Sequence, residues 1–165
     1  MSSITAYLDT CIVSGLAKKD LGSDELAALR LILQAWEKGN VSLVTSSVVQ
    51  EEIEKIPKEH RIKHETIYNL LSQVPVARAF STTPGRLLLL KVGGGSVRRP
   101  NPIFAELHSL LPDEADAHHL YQAARNEVQY FLTTDARTIL SYQSQIEDIC
   151  GVKVMSPQNF LAVLD

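Results

Sequence analysis

The chain has 165 residues, of which 45% are hydrophobic and 21% charged, and this balance is typical of one globular domain. No apolar run approaches the ~20 residues needed to cross a bilayer and no signal peptide is visible, so we expect a cytoplasmic protein that does not associate with membranes. The net charge of −3 does not fit a broad basic face for nucleic acid, so any such activity must rest on a local site.

In the N-terminal half, short β-branched or aromatic runs alternate with helical apolar stripes. In chain order, the sequence predicts a strand over Ile4–Leu8, helices over residues 12–17 and 24–38, a strand over 41–45, helices from Ser46 or Ser47 to Ile56 and over 58–74, and a strand over 76–80. Ser23 is the expected N-cap of the second helix, because acidic residues fill the turn that follows it.

The C-terminal half begins with a less regular segment. Three consecutive glycines in residues 82–100 indicate a flexible surface loop. Beyond it the sequence predicts helices over residues 101–111 and 114–126, a strand over 129–133, a helix that follows Asp135 and ends at Cys150, a strand over 152–155 and a short helix that opens at Pro157. Because strands and helices alternate throughout, we expect a single α/β domain over residues 1–165, with a parallel sheet covered on both faces.

Two aspartates, Asp9 and Asp135, come directly after predicted strands. Ligands of open parallel sheets bind beyond the carboxyl ends of the strands, so both side chains should point into one crevice. Helix capping explains either aspartate alone equally well.

Glu52 lies in the middle of an apolar helical face, whereas Glu51 and Glu54 fall on the opposite side at about 100° per residue. A carboxylate there binds a cation, pairs with a buried arginine, or extends from the end of the apolar stripe to reach solvent, and the sequence leaves these alternatives open. Asp116 lies in the first turn of its helix, where an acidic residue is by itself more often structural.

Taken together, these four carboxylates indicate more than each does alone. Several oxygen ligands in one pocket, without histidine or cysteine, suit a hard cation such as Mg²⁺ or Mn²⁺. Without a cation the carboxylates would repel one another, and with one they could activate water for attack on a phosphate.

Five short stretches in the same order resemble the PIN-domain family, particularly the toxin ribonucleases of VapC type and their stand-alone relatives. They are residues 6–13 (AYLDTCIV), 45–53 (TSSVVQEEI), 116–124 (DAHHLYQAA), 130–135 (YFLTTD) and 154–157 (VMSP). The resemblance implies a three-layer α/β/α sandwich with a central parallel sheet of about five strands. It also implies Mg²⁺- or Mn²⁺-dependent hydrolysis of RNA, with the four acidic positions of the family falling on Asp9, Glu52, Asp116 and Asp135.

On this interpretation the chain is a metal-dependent endoribonuclease and a candidate toxin of a toxin–antitoxin pair. We expect RNA as the substrate, an antitoxin protein as a candidate partner, and a homodimer. The alternative is a catalytically silent PIN-fold interaction module. A phosphatase of the class that uses a DxD motif fits less well, because the chain continues after Asp9 as Thr10-Cys11.

Several further residues are candidates for supporting roles. Thr10 and Thr134 could line the pocket, although capping explains Thr10 as well. Arg98 and Arg99, in the glycine-rich segment, are candidate contacts to the RNA backbone. The adjacent histidines His118 and His119 point about 100° apart on a helix and are interpreted mainly as structural. The segment 82–111 has no motif match, and its role stays open.

Overall fold

The chain is built around a parallel β-sheet. The computed structural model describes residues 4–45, 52, 54–59, 88–92, 95–99 and 101–165. In these residues the strands are β1 (Ile4–Leu8), β2 (Val41–Val44), β3 (Leu88–Val92), β4 (Gly95–Arg99), β5 (Tyr130–Leu132) and β6 (Lys153–Met155). Four of them form the parallel sheet in the order β2-β1-β5-β6, and β3 pairs with β4 as a separate antiparallel hairpin.

Helices cover this sheet. They are α1 (Thr10–Lys18), α2 (Ser23–Glu37), α3 (Pro102–Leu110), α4 (Glu114–Arg125), α5 (Gln143–Cys150) and α6 (Pro157–Leu164), with a 3₁₀ turn at Leu140–Tyr142. Their ends follow ordinary capping chemistry: Asp113 and Ser156 accept hydrogen bonds from the first turns of α4 and α6, and Gly151 ends α5 with a φ of 73°. None of the helices in the described ranges is long and apolar enough to span a membrane.

The two faces of the sheet bury separate apolar cores because side chains alternate along each strand. On β1, Ala6 and Leu8 enter the core that packs against α1, α2 and α6, whereas Tyr7 enters the core beneath α3, α4 and α5. On β5, Phe131 and Leu132 divide in the same way. The result is three layers, helix–sheet–helix, as the sequence predicts.

The strands expected at both ends of the chain are confirmed to within a residue or two, namely β1, β2, β5 and β6. The expected strand at 76–80 lies outside the described residues, as do most of the expected helices at 46–56 and 58–74. The four observed parallel strands therefore account for all of the predicted strands on which the structure bears.

Three local predictions are wrong. Residues 88–92 and 95–99 pair as an antiparallel hairpin, where the glycines had indicated a loop. The N-cap of α2 is Gly22, because Glu25 turns its carboxylate back to the Gly22 amide and Ser23 becomes the first helical residue. The helix expected directly after Asp135 starts only at Gln143, because Asp135 first holds a turn that leads into the 3₁₀ segment.

Candidate active site

Asp9 lies where three parallel strands end side by side. Its backbone amide donates to Leu132 O at 3.1 Å, which ties the end of β1 to the end of β5. Its carboxylate caps α1 by accepting from the Thr10 amide at 2.7 Å and also accepts from the Thr133 hydroxyl at 2.8 Å. The residue is only 4% exposed, so these donors compensate for much of the cost of burying its charge. The two roles left open by the sequence, capping and a place in the crevice, therefore occur together.

Asp135 follows β5 at the same edge of the sheet. One oxygen of its carboxylate accepts from the amides of Arg137 and Thr138, both at 3.0 Å, and the other accepts from the Thr138 hydroxyl. Burial alone would raise the pKa of Asp135, but these hydrogen bonds and the charge of Arg137 outweigh it and hold the pKa below its usual value. Asp135 is thus ionised and held in place by its own turn.

Glu52 reaches the same place from a different segment of the chain. Its Oε2 accepts from the Thr10 hydroxyl and lies 2.6 Å from Nε2 of His119. Burial works to raise the pKa of Glu52, and the hydrogen bond and charge of His119 with the Thr10 hydrogen bond lower it on balance. Glu54, two residues further on, is exposed. Glu51 lies outside the described residues.

Asp116 carries the clearest electrostatic sign of crowding. Burial raises the pKa of its carboxyl, and the negative charges of Asp9, Asp113 and Asp135 bring it to about 7, although His119 acts in the opposite direction. Within the part of the chain that the structure describes, no hydrogen bond reaches the Asp116 carboxylate. A carboxyl whose ionisation is opposed in this way lies in a strongly negative environment that a cation would relieve.

The structure therefore brings all four acidic residues to one edge of the sheet. Their chemistry, oxygen donors only, fits Mg²⁺ or Mn²⁺. Their arrangement is not that of an assembled metal cage, since among the described residues no group of three or more His, Cys, Asp or Glu side chains is placed so that it could hold a metal ion. The carboxylates of Asp9, Glu52 and Asp135 are each directed toward protein hydrogen-bond donors.

The two threonines expected to support the site differ in what they contact. Thr10 touches the cluster directly through Glu52 and through His119 Nε2 at 3.1 Å. Thr134 instead directs its hydroxyl and its amide at Cys11 Sγ, both at 3.3 Å. Cys11 in turn donates to Asp9 at 3.1 Å, so Thr134 contacts the cluster only indirectly, through Cys11.

Arg98 and Arg99, the candidate RNA contacts, are the last two residues of β4. They are thus in a strand of the hairpin and not in the loop that the sequence indicated. Their backbone pairs with β3, Arg98 opposite Leu89 and Arg99 opposite Leu88. Their role in binding RNA stays a prediction.

Two residues that the sequence favours as structural, Thr133 and His119, belong to the cluster. Thr133 is fully buried and bridges Asp9 to the Asp135 amide, which donates to its hydroxyl at 3.1 Å. His119 is fully buried between Glu52 and the Tyr7 hydroxyl. A signal for His119 was present, because a residue three positions after Asp116 shares its face of the helix. His118, by contrast, packs on Phe104, and the carboxylate near its ring is that of Glu114, which is not one of the four.

Comparison with known proteins supports the assignment of the fold. No family model matches the chain, and no curated protein matches it significantly. Among solved structures, the chain is similar to one in the crystal structure of VapBC2 from Rickettsia felis bound to a DNA fragment from their promoter. The match has a TM-score of 0.56 and 15% sequence identity, and covers 93% of this chain and 98% of that one. The chain therefore has a PIN-like α/β/α fold.

Proposed function

We propose that this chain is a metal-dependent endoribonuclease that hydrolyses RNA phosphodiester bonds, with Mg²⁺ or Mn²⁺ held by Asp9, Glu52, Asp116 and Asp135. The observation that carries the proposal is the convergence of these carboxylates beyond the carboxyl ends of β1 and β5, where burial, and next the charges of Asp9 and Asp113, raise the pKa of Asp116 to about 7. Crowded, desolvated carboxylates lower the stability of the folded protein, and such groups with perturbed pKa values are concentrated at functional sites. A divalent cation is the partner that their chemistry fits best.

A bound metal ion would lower the pKa of a water molecule that it binds, and its positive charge would stabilise the negative charge of the phosphate. The residues of the chain hold the carboxylates in position. Asp9 and Asp135 are fixed by the backbone at the ends of their strands, and the Thr133 hydroxyl links the two. Asp116, which receives no hydrogen bond from the described residues, is the carboxylate most available to a cation.

A cysteine nucleophile is the obvious alternative source of reactivity beside Asp9. Burial, and next the negative charge of Asp9, raise the pKa of the Cys11 thiol to about 12. The thiol is therefore protonated at neutral pH and acts as a donor to Asp9, and only the thiolate would be a competent nucleophile. This supports hydrolysis by water in place of a covalent protein intermediate.

The biological setting proposed is that of a toxin with an antitoxin partner, acting as a homodimer in the cytoplasm. It is supported by the motif resemblance to toxins of VapC type and by the likeness to the VapBC2 structure. A small open reading frame next to this gene, encoding a DNA-binding motif, is the expected source of the antitoxin. Co-expression of both products should give a complex that purifies together, and purification of this chain alone would contradict the pairing.

A silent PIN-fold interaction module is the second candidate. It is favoured by one observation: in the described residues, three of the four acidic side chains accept hydrogen bonds from protein donors, and the four form no ready metal cage. The two candidates differ in a simple property, since a silent module need not bind a divalent cation at the acidic edge.

Calorimetric titration with Mn²⁺ separates them. The wild-type chain should bind Mn²⁺, and Asp116→Asn should weaken the affinity by at least ~10-fold, since even residues behind metal ligands contribute on that scale. Asp148→Asn is the matched control, because Asp148 is an exposed aspartate on α5, and its affinity should equal that of wild type. Equal weak binding by all three proteins would favour the silent module.

A further inference from the structure

A chain of hydrogen bonds runs from the core of the sheet to the acidic cluster through His119. Nδ1 of His119 lies 2.8 Å from the Tyr7 hydroxyl, and Nε2 lies 2.6 Å from Glu52 Oε2. All the links join distant parts of the sequence: β1, α4 and the segment that carries Glu52. The histidine is fully buried, so water does not compete for either ring nitrogen.

The direction of these hydrogen bonds follows from their chemistry. Glu52 is an ionised carboxylate and can only accept, so Nε2 of His119 carries the hydrogen that points to it. In the neutral ring Nδ1 then accepts from the Tyr7 hydroxyl. In the charged ring Nδ1–H donates to the same oxygen, so the chain of contacts survives in both states.

The far end of this chain is rigid. Tyr7 is fully buried and stacks on Phe131, with ring centroids 5.1 Å apart and planes inclined by 8°. It also meets the His119 ring edge-on at 5.8 Å. The imidazole is therefore anchored in the core of the sheet through Tyr7, on the side of the ring opposite its contact with Glu52.

Glu52 is the acidic residue that most needs such support. Asp9 and Asp135 have short side chains held by backbone amides next to them in sequence. Glu52 has a longer side chain with more rotamers, and its described side-chain hydrogen bonds come from Thr10 and His119 alone. Neither partner is a sequence neighbour.

We propose that the Tyr7–His119–Glu52 chain positions the Glu52 carboxylate in the acidic site, with His119 as the positioning residue and Tyr7 as the group that orients its ring. This inference rests on the proposed function of the acidic cluster as a metal site. His119 acts through Glu52 and does not itself contact substrate.

The hydrogen bonds that join Tyr7, His119 and Glu52 can be tested first without metal or RNA. In protein labelled with ¹⁵N-histidine, Nε2 of His119 should keep its hydrogen at every pH at which the protein is folded. Tyr7→Phe should move the Nδ1 signal, and Glu52→Gln the Nε2 signal. An Nε2 without a hydrogen, or signals insensitive to both substitutions, would overturn the inference.

Mn²⁺ titration then tests the consequence. His119→Leu removes the donor and should weaken Mn²⁺ binding by ~10-fold or more, the scale of groups that orient metal ligands. His119→Gln places an amide N–H near the former Nε2 and should restore part of the affinity, and Tyr7→Phe should give a smaller loss. The control His118→Gln alters the neighbouring histidine, which packs on Phe104, and should match wild type.

A double substitution separates positioning from a general structural role. If His119 acts through Glu52, adding His119→Leu to Glu52→Gln should cause no further loss of Mn²⁺ affinity, whereas additive losses would contradict the proposal. The milder His119→Gln and Tyr7→Phe decide the matter if His119→Leu does not fold. Normal Mn²⁺ binding by His119→Leu would overturn this inference alone. Absence of binding by the wild-type chain would overturn the proposed function and the inference with it.

Discussion

The Thr133 hydroxyl donates to the Asp9 carboxylate at 2.8 Å, with both residues buried where β1 and β5 end together. The same hydroxyl accepts from the Asp135 amide, so one side chain links two of the acidic residues across the sheet. The parallel pairing of β1 with β5 therefore sets the positions of Asp9 and Asp135 at this edge of the sheet. The two hydrogen bonds of the Thr133 hydroxyl depend on that pairing.

Thr133→Val tests that link because it keeps the shape of the side chain and removes the hydroxyl. A buried acceptor that loses its donor costs about 1–3 kcal/mol, so we expect the free energy of unfolding to fall by about that amount in urea titrations with EDTA. Thr45→Val is the matched control: Thr45 is buried at the end of β2, and its hydroxyl has no partner among the described residues. An equal loss in both variants would contradict the role of the link.

Asp9→Asn should nearly abolish RNA cleavage while the protein stays folded. Asparagine caps helices as well as aspartate does, so the start of α1 survives, but the charge that would face a metal ion is lost. We expect a fall of at least ~100-fold in turnover, the scale of a well-placed electrostatic group. A melting temperature far below wild type in EDTA would show that Asp9 is chiefly structural.

Asp116 should make the metal-free protein less stable as the pH rises. Its carboxyl titrates near pH 7 in the folded chain, against 3.8 for an ordinary aspartate, so folding favours the protonated form. That contribution is fully present below about pH 3.8 and is lost as the pH rises through about 7. Asp116→Asn should therefore gain melting temperature relative to wild type between about pH 5 and about pH 8 in EDTA.

Two checks accompany this pH series. Mg²⁺ added at the alkaline end should stabilise wild type and leave Asp116→Asn nearly unchanged, because only wild type has the full set of carboxylates. A constant difference in melting temperature between the two proteins across the pH range would show that the Asp116 carboxyl is not crowded.

Much of the fold was predictable because its signals are local. The short runs that became β1, β5 and β6 are flanked by residues that end strands, and Asp9 and Asp135 follow directly from that placement. The hairpin of β3 and β4 was not predictable from its glycines, since glycine suits a loop and a tight turn equally and the pairing partners decide between them.

The acidic side chains were easier to predict than the groups that hold them. Several carboxylates gathered at strand ends suit cation binding better than capping, whereas Thr133 resembles any strand-end threonine. His119 has one local signal, its position three residues after Asp116 on the same helix face, but its partners Tyr7 and Glu52 lie 112 and 67 positions away in sequence. Long-range partners of this kind leave no local pattern.

Glu52 and its acidic neighbours offer a test of helix register. Glu52→Gln should lower turnover by at least ~100-fold, whereas Glu51→Gln should change it only slightly. Glu54→Gln is a control from the described residues, because Glu54 is exposed two positions away. A severe loss in Glu51→Gln with near-normal Glu52→Gln would show that the register is wrong.

Cleavage of end-labelled single-stranded RNA by the wild-type chain and by Asp116→Asn, with Mg²⁺ or Mn²⁺ and with EDTA, tests the proposed metal-dependent ribonuclease activity. We predict internal cleavage by wild type with either metal, none with EDTA, and at least ~100-fold slower cleavage by Asp116→Asn. Equal cleavage by scrupulously metal-free wild type, or no cleavage by wild type under any of these conditions, would contradict the account.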